Sequence, residues 1–204
     1  MSLRNLVLMA CLGLPLPALA DDAPVPSTDI FSYSTLTLDH QHEHSDYFGN
    51  SSQGNGLALS YDFSGVYVFG QWNKLDFDQW NKLVSGASPG SHTVQGIGVG
   101  AHQAYSNNTS FYIDLSYLQD KLSSNLGAGS DDYWRVDYGL RSQVTEMIEL
   151  DAAIFTERNT TFGRRPFGER VGGGIDFSAF SLLAAYEHTA DGNRTEISLS
   201  WAYH

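Results

Sequence analysis

After residue 30 the chain is patterned in twos. Leu57, Leu59, Tyr61 and Phe63 alternate with Ala58, Ser60 and Asp62, and Phe111, Ile113, Leu115 and Tyr117 alternate with Tyr112, Asp114 and Ser116. Trp134, Val136, Tyr138 and Leu140 alternate with Arg135, Asp137, Gly139 and Arg141. Val171, Gly173, Ile175 and Phe177 do so with Arg170, Gly172, Gly174 and Asp176, and Ile197, Leu199, Trp201 and Tyr203 with Glu196, Ser198, Ser200 and Ala202. Neighbouring side chains of a strand point to opposite faces, so each run predicts a strand with one apolar and one polar face. Ten such stretches are predicted: 30–39, 54–63, 66–78, 93–104, 109–120, 132–144, 148–157, 169–177, 180–188 and 194–203. No segment of comparable length has a helical period. In the third stretch Val66 and Val68 oppose Tyr67 and Phe69, which implies either a bulge or the opposite facing there.

The connections are sorted by length. Long ones fall at 40–53, around Ser85–Gly90, at 121–131 and at Arg158–Gly168, with a short hairpin at Ala190–Asn193. Tight ones fall between them, at Ser64-Gly65, Tyr105–Asn108, Thr145–Met147 and Ser178-Ala179. Long loops at one end and tight turns at the other are the signature of a membrane barrel with both termini on the tight-turn side. The fold class expected is all-β: one antiparallel, up-and-down transmembrane β-barrel of ten strands, with eight as the alternative count.

The polar faces would then line the interior. They carry Asp62, Asp114, Asp137, Glu149, Asp151, Glu157, Asp176, Glu187 and Glu196 against Arg135, Arg141 and Arg170. In a barrel this narrow the expectation is a plugged interior in which arginines hold carboxylates by charge-assisted bonds. A narrow cation-preferring path along the acidic wall is the competing reading. Aromatics make up 13% of the chain. Phe31, Tyr33, Phe63, Tyr67, Phe77, Trp134, Phe177, Phe180 and Tyr203 fall near strand ends, where rings would form interfacial girdles.

Residues 1–20 carry Arg4, an apolar run from Leu6 to Leu14 and small residues at Ala18 and Ala20. They read as a signal peptide cut after Ala20, followed by a periplasmic leader at 21–29 and the barrel at 30–204. Cys11 is the only cysteine and lies in that leader peptide, so disulfides and thiolate metal sites are excluded from the exported part. The net charge is −12, which argues against a nucleic-acid partner.

Residues 67–78 (Tyr-Val-Phe-Gly-Gln-Trp-Asn-Lys-Leu-Asp-Phe-Asp) and 135–141 (Arg-Val-Asp-Tyr-Gly-Leu-Arg) are similar to strands of the small single-chain outer-membrane β-barrel proteins of Gram-negative bacteria. The resemblance extends over nearly all of the chain after the leader and is one of pattern more than of motif. It implies an outer-membrane location, lipid as surroundings, a monomer, and insertion by the barrel assembly machinery through the C-terminal strand. Trp201 and Tyr203 would supply the aromatic insertion signal, with His204 after the usual terminal aromatic as a departure. The group includes adhesins, structural barrels, channels and a few enzymes, so resemblance alone does not assign a role.

Two local runs carry candidate chemistry. His40, His42 and His44 would share one face of an extended segment and present imidazoles to Zn²⁺ or Cu²⁺. They would spread about 13 Å, too far for one tetrahedral site without bending, and a polar outer loop is the expected setting. Arg158, Arg164 and Arg165, with Phe162 and Phe167, form a basic patch in an otherwise acidic chain. It would suit lipopolysaccharide phosphates, against the plainer reading of a solvated loop. His44 and Ser45 are adjacent and would point to opposite faces, and His92, His102 and His188 have no evident partner set. No catalytic triad can be assembled, so no enzyme activity and no cofactor are expected. The role expected is structural or surface-interacting with long outer loops. A cation-preferring pore and a soluble periplasmic ligand-binding barrel are the alternatives.

Overall fold

A computed structural model describes residues 31–45, 50–77, 90–124, 127–159 and 167–203. The predicted signal peptide and the 21–29 leader lie outside them. Ten strands run in chain order: β1 Thr35–Ser45, β2 Asn50–Asp62, β3 Val66–Phe77, β4 Gly90–Ser106, β5 Thr109–Ser124, β6 Gly127–Gln143, β7 Ile148–Asn159, β8 Phe167–Asp176, β9 Phe180–Thr189 and β10 Gly192–Ala202. Each pairs antiparallel with its chain neighbours, and β1 pairs with β10 from Thr35↔Ala202 to Ser45↔Gly192, closing the barrel. Closure leaves no unpaired edge. The count is ten; the eight-strand alternative is excluded.

The end with both termini, here the lower end, has tight turns. At Ser64-Gly65 both residues have positive φ, 67° and 103°, as a two-residue hairpin of the twist-matching type requires. At the upper end the expectation of long loops is only partly met. β1 and β2 continue to Ser45 and from Asn50, and β5 and β6 to Ser124 and from Gly127, so most of the predicted loops 40–53 and 121–131 is strand. Ladder bonds satisfy polar backbone better than a free loop does, and polar residues on both faces of these ends had hidden the period.

The outer face changes character at one level all round. Leu38, Leu57, Trp72, Ile97, Tyr117, Trp134 and Ile197 point outward, and the next outward residues above them are His40, Asn55, Lys74, Gln95, Gln119, Asp132 and Thr195. Below that line the surface is apolar, with Ile97 70% exposed and Leu59 53%. Rings border it above at Trp72, Tyr117 and Trp134, where Tyr117 and Trp134 are 5.1 Å apart. They border it below at Tyr61, Phe63, Phe111, Tyr138, Phe177 and Phe180. An exposed apolar belt of this extent fits lipid and not water, which removes the soluble-barrel alternative. Phe31, Tyr33, Tyr67 and Phe77, expected in the girdles, are instead buried inside. In β3 the second of the two expected alternatives holds, an opposite facing and no bulge: Tyr67 and Phe69 point inward over unbroken pairing with β2 and β4.

Those inward rings fit because of the residues opposite. Tyr67 pairs with Gly100, Phe69 with Gly98, Tyr112 with Gly139 and Phe155 with Gly168. A Cβ at Gly139 would lie 2.2 Å from the Tyr112 ring, and one at Gly168 2.1 Å from that of Phe155. Each ring lies flat across a glycine, which fills the interior without overpacking it. Gly139→Ala is expected to cost about 1–3 kcal/mol, as overpacking does. Gly129→Ala, where a Cβ meets nothing within 4 Å, should be neutral; urea unfolding in lipid vesicles measures both.

Candidate functional site in the barrel interior

The alternation that turns Leu and Ile outward turns the charged residues inward, where they gather in layers. At the lower end residues 31–34, just before β1, reach across the opening to the opposite wall. Phe31 and Tyr33 are buried. The Tyr33 ring stacks on His102 of β4 at 3.9 Å, and its hydroxyl lies 3.3 Å from Ser110 Oγ of β5. Arg141 of β6 lies over both rings, 4.6 Å from Phe31 and 5.2 Å from Tyr33. The same guanidinium donates from Nε and Nη2 to Glu149 at 3.1 and 2.9 Å. His102 Nε2 is 3.1 Å from Asp62 Oδ2.

Above this floor the Tyr67 hydroxyl donates to Asp114. Tyr112 donates to Asp151 Oδ2 at 2.9 Å; Arg170 donates to Asp151 Oδ1 at 3.1 Å and to the Tyr112 hydroxyl at 2.6 Å. The largest charge cluster is one layer higher. Arg135, 7% exposed, donates from Nε and Nη2 to Asp137 at 2.9 and 2.8 Å. It also donates to Glu157 of β7 at 3.2 Å, and to both oxygens of Glu187 of β9 at 3.2 and 2.9 Å. Arg194 of β10 donates to Glu187 at 2.8 Å, and the Arg135 guanidinium lies 3.8 Å over the Phe155 ring. One guanidinium thus ties β6, β7 and β9 together across the interior. Near the top, His92 lies 3.5 Å from both Glu43 and Asp120.

Every residue expected in the interior charge network therefore points inward. Asp176 accepts from Ser181 at the lower rim, and Glu196 accepts from Gln41 at 3.4 Å. Arg194, Glu43, His92 and Asp120 were missed. Continuing the alternation of Asp39 and Gln41 leads to Glu43, and that of Glu196 leads back to Arg194. His40, His42 and His44 are in β1 and not in a loop, and they face outward. His40 meets Asn55 at 3.0 Å and His44 meets Ser51 at 3.1 Å. No cluster of three His, Cys, Asp or Glu able to hold a metal ion exists among the described residues. Arg158 is exposed and pairs across from Trp134 at the belt's upper border. Arg164, Arg165 and Phe162 lie outside the described residues, and Phe167 is an exposed residue at the start of β8. Trp201 faces outward between Leu36 and Phe180, and the Tyr203 N–H donates to Ser34 O at 3.0 Å.

A cavity of about 260 Å³ lies in the lower half, bordered by Thr37, Asp114, Arg170, Glu196, Ser198 and Ser200. It can hold water or a small polar solute. Thr37 and Ser200 pair with each other, Asp114 with Tyr67, Arg170 with Asp151 and Glu196 with Gln41; among the described residues no nucleophile is set against a base and an acid in the order that covalent catalysis needs.

No protein-family model and no curated protein matches the sequence. Solved structures match the fold. The β-domain of the Bordetella autotransporter BrkA has a TM-score of 0.57 at 9% identity, over 85% of this chain and 100% of that one. The NanC porin has a TM-score of 0.53 at 9% identity, over 82% of this chain and 100% of that one. At such identities the likeness is one of fold: the chain is a closed up-and-down barrel of the kind found in bacterial outer-membrane proteins.

Removing Arg135 would take the guanidinium from Asp137 and Glu157 and leave Glu187 with Arg194 alone. Arg135→Met is expected to destabilise the barrel by about 3–5 kcal/mol, the range for breaking a buried pair from one side. Arg135→Lys should recover only part of this, because an ammonium cannot make the forked contacts to Asp137 and Glu187. Urea midpoints in vesicles measure both; a Met variant within about 0.5 kcal/mol of wild type would contradict the assignment.

Proposed function

We propose that this protein is a non-enzymatic barrel of the bacterial outer membrane whose interior is sealed. It serves as a scaffold that carries polar strand ends above the lipid. The observation that carries the reading is the joint closure of the interior by the 31–34 segment under Arg141 and by the Arg135 cluster that bridges β6, β7 and β9. A charge-selective path is lined by free charged side chains, and here the inward arginines are held by carboxylates. The outer face supports the lipid setting: an apolar belt with aromatic borders, and polar residues above.

Within this reading, export by the leader peptide and insertion through the last strand, with Trp201 and Tyr203 as its aromatic signal, remain proposals that rest on the sequence. Arg158 beside Trp134, at the upper border of the belt, is where a lipopolysaccharide phosphate would meet the barrel. The second reading is a narrow cation-preferring path. The cavity beside Asp114 and Glu196 favours it.

Refolding into planar bilayers, with single-channel recording in KCl and then in an asymmetric salt gradient, separates the two. A folded, heat-modifiable barrel that passes no steady current is expected. Steady steps with a cation-selective reversal potential would replace the scaffold with the pore.

A further inference from the structure

Three inward oxygens near the top of the β1–β3 wall have no hydrogen-bond partner among the described residues: Asp39 Oδ1, Gln41 Oε1 and Asn73 Oδ1. They are not scattered. Asp39 pairs with Gly56, and Gly56 with Asn73, so the three occupy one row across β1, β2 and β3. Gln41 is the next inward position on β1 and pairs with Gly54 on one side and Glu196 on the other. The bare Gly56 lets the side chains from either side meet over it. The point where a Cβ of Gly56 would sit is 1.7 Å from Asn73 Oδ1 and 2.5 and 2.6 Å from the two Asp39 oxygens. Asn73 is 6% exposed and Gln41 3%. Gln41 uses its NH₂ on Glu196, at 3.4 Å, and on the Asp39 carboxylate, which leaves its carbonyl oxygen as the unpartnered end.

Buried acceptors that face one another repel, and each lacks the donor that would repay its loss of water. A single cation would answer all of them. We propose that Asp39, Asn73, Gln41 and Glu196 form a binding site for one hard divalent cation, Ca²⁺ by preference. The donor set is all oxygen, two carboxylates and two amide carbonyls, with neither imidazole nor thiolate, which is the chemistry of Ca²⁺ and not of Zn²⁺ or Cu²⁺. Ca²⁺ tolerates irregular shells and takes further oxygens from water. Mg²⁺ demands near-ideal octahedral geometry, which a set drawn from three strands does not favour. The cavity that reaches Thr37 and Glu196 comes within one inward position of Asp39 and can supply those waters. The site borders the Arg135 cluster through Arg194, the inward neighbour of Glu196 on β10, whose guanidinium is held by Glu187 at 2.8 Å; it does not depend on whether the barrel conducts. Its occupation would cross-link β1, β3 and β10, the strands on either side of the closure.

Calorimetric titration of the full chain, refolded in detergent and stripped with EDTA, tests this. One Ca²⁺ per barrel is expected, with a rise in melting temperature that KCl of equal ionic strength does not reproduce. Asp39→Asn should weaken binding by at least about tenfold, as loss of a direct ligand exceeds the usual effect of an outer-shell change. Asn73→Ala should weaken binding while keeping the fold, because it removes a buried acceptor that has no donor. Asp76→Asn, on the exposed outer face, should bind as wild type does. Absence of stoichiometric binding to the wild type overturns the proposal: the Asn73 amide then turns its NH₂ toward Asp39 and the row is satisfied without a cation. Undiminished binding in both Asp39→Asn and Asn73→Ala overturns it as well.

Discussion

The rest of this molecule depends on a guanidinium that has been taken out of water and must be repaid where it stands. Arg135 could not lie at 7% exposure in a dry interior unless carboxylates surrounded it, since desolvating one charge costs several kcal/mol. Asp137, Glu157 and Glu187 come from three different strands, and Glu187 also holds Arg194. Strand pairing fixes neighbours only two at a time. Beyond the paired β6–β7 and β9–β10, this cluster ties β6 to β9, which do not pair, and so it sets the shape of the interior.

The same alternation serves the outside. Each inward charge forces its sequence neighbours outward, and those are Trp134 and Val136 around Arg135, Tyr186 beside Glu187, and Leu150 beside Glu149 and Asp151. A slip of one residue would put arginine in the apolar belt and tryptophan in the charge cluster. Register is therefore enforced from both faces at once. The glycines opposite Tyr112 and Phe155 add a third condition, because either ring slipped by two residues would meet the side chain of Asp137, Arg141 or Arg170 instead of a bare backbone.

Strand number, closure order and the inward set from Asp62 to Glu196 were legible because a period of two is the physical signature of a wall between lipid and a polar interior. Legibility failed where the two faces stop differing. In Asp39 to Ser45 both faces are polar, and in Lys121 to Ser124 and Gly127 to Ser130 polar and small residues occupy both faces apart from Leu122; these strand ends rise above the belt, and the alternation carries little information there. Tyr67 and Tyr33 misled for another reason. An aromatic near a strand end suits a girdle or a plug equally well; for Tyr67 the glycine across the ladder distinguishes them, and Tyr33, which precedes β1, has no ladder partner to do so. The closeness of Asp39 to Asn73 is set by a pairing across two strands, which no local pattern encodes.

The account is tested most directly by a double-mutant cycle on Arg135 and Glu187, read from urea unfolding of wild type, Arg135→Met, Glu187→Gln and the double variant in lipid vesicles. If the cluster holds the interior together, the two changes will couple by about 1.5 kcal/mol or more, within the range for residues of one buried network. Additivity within about 0.5 kcal/mol, as for independent sites, would mean that the barrel is held by its ladder and belt alone, and would contradict the central role given to this ion cluster.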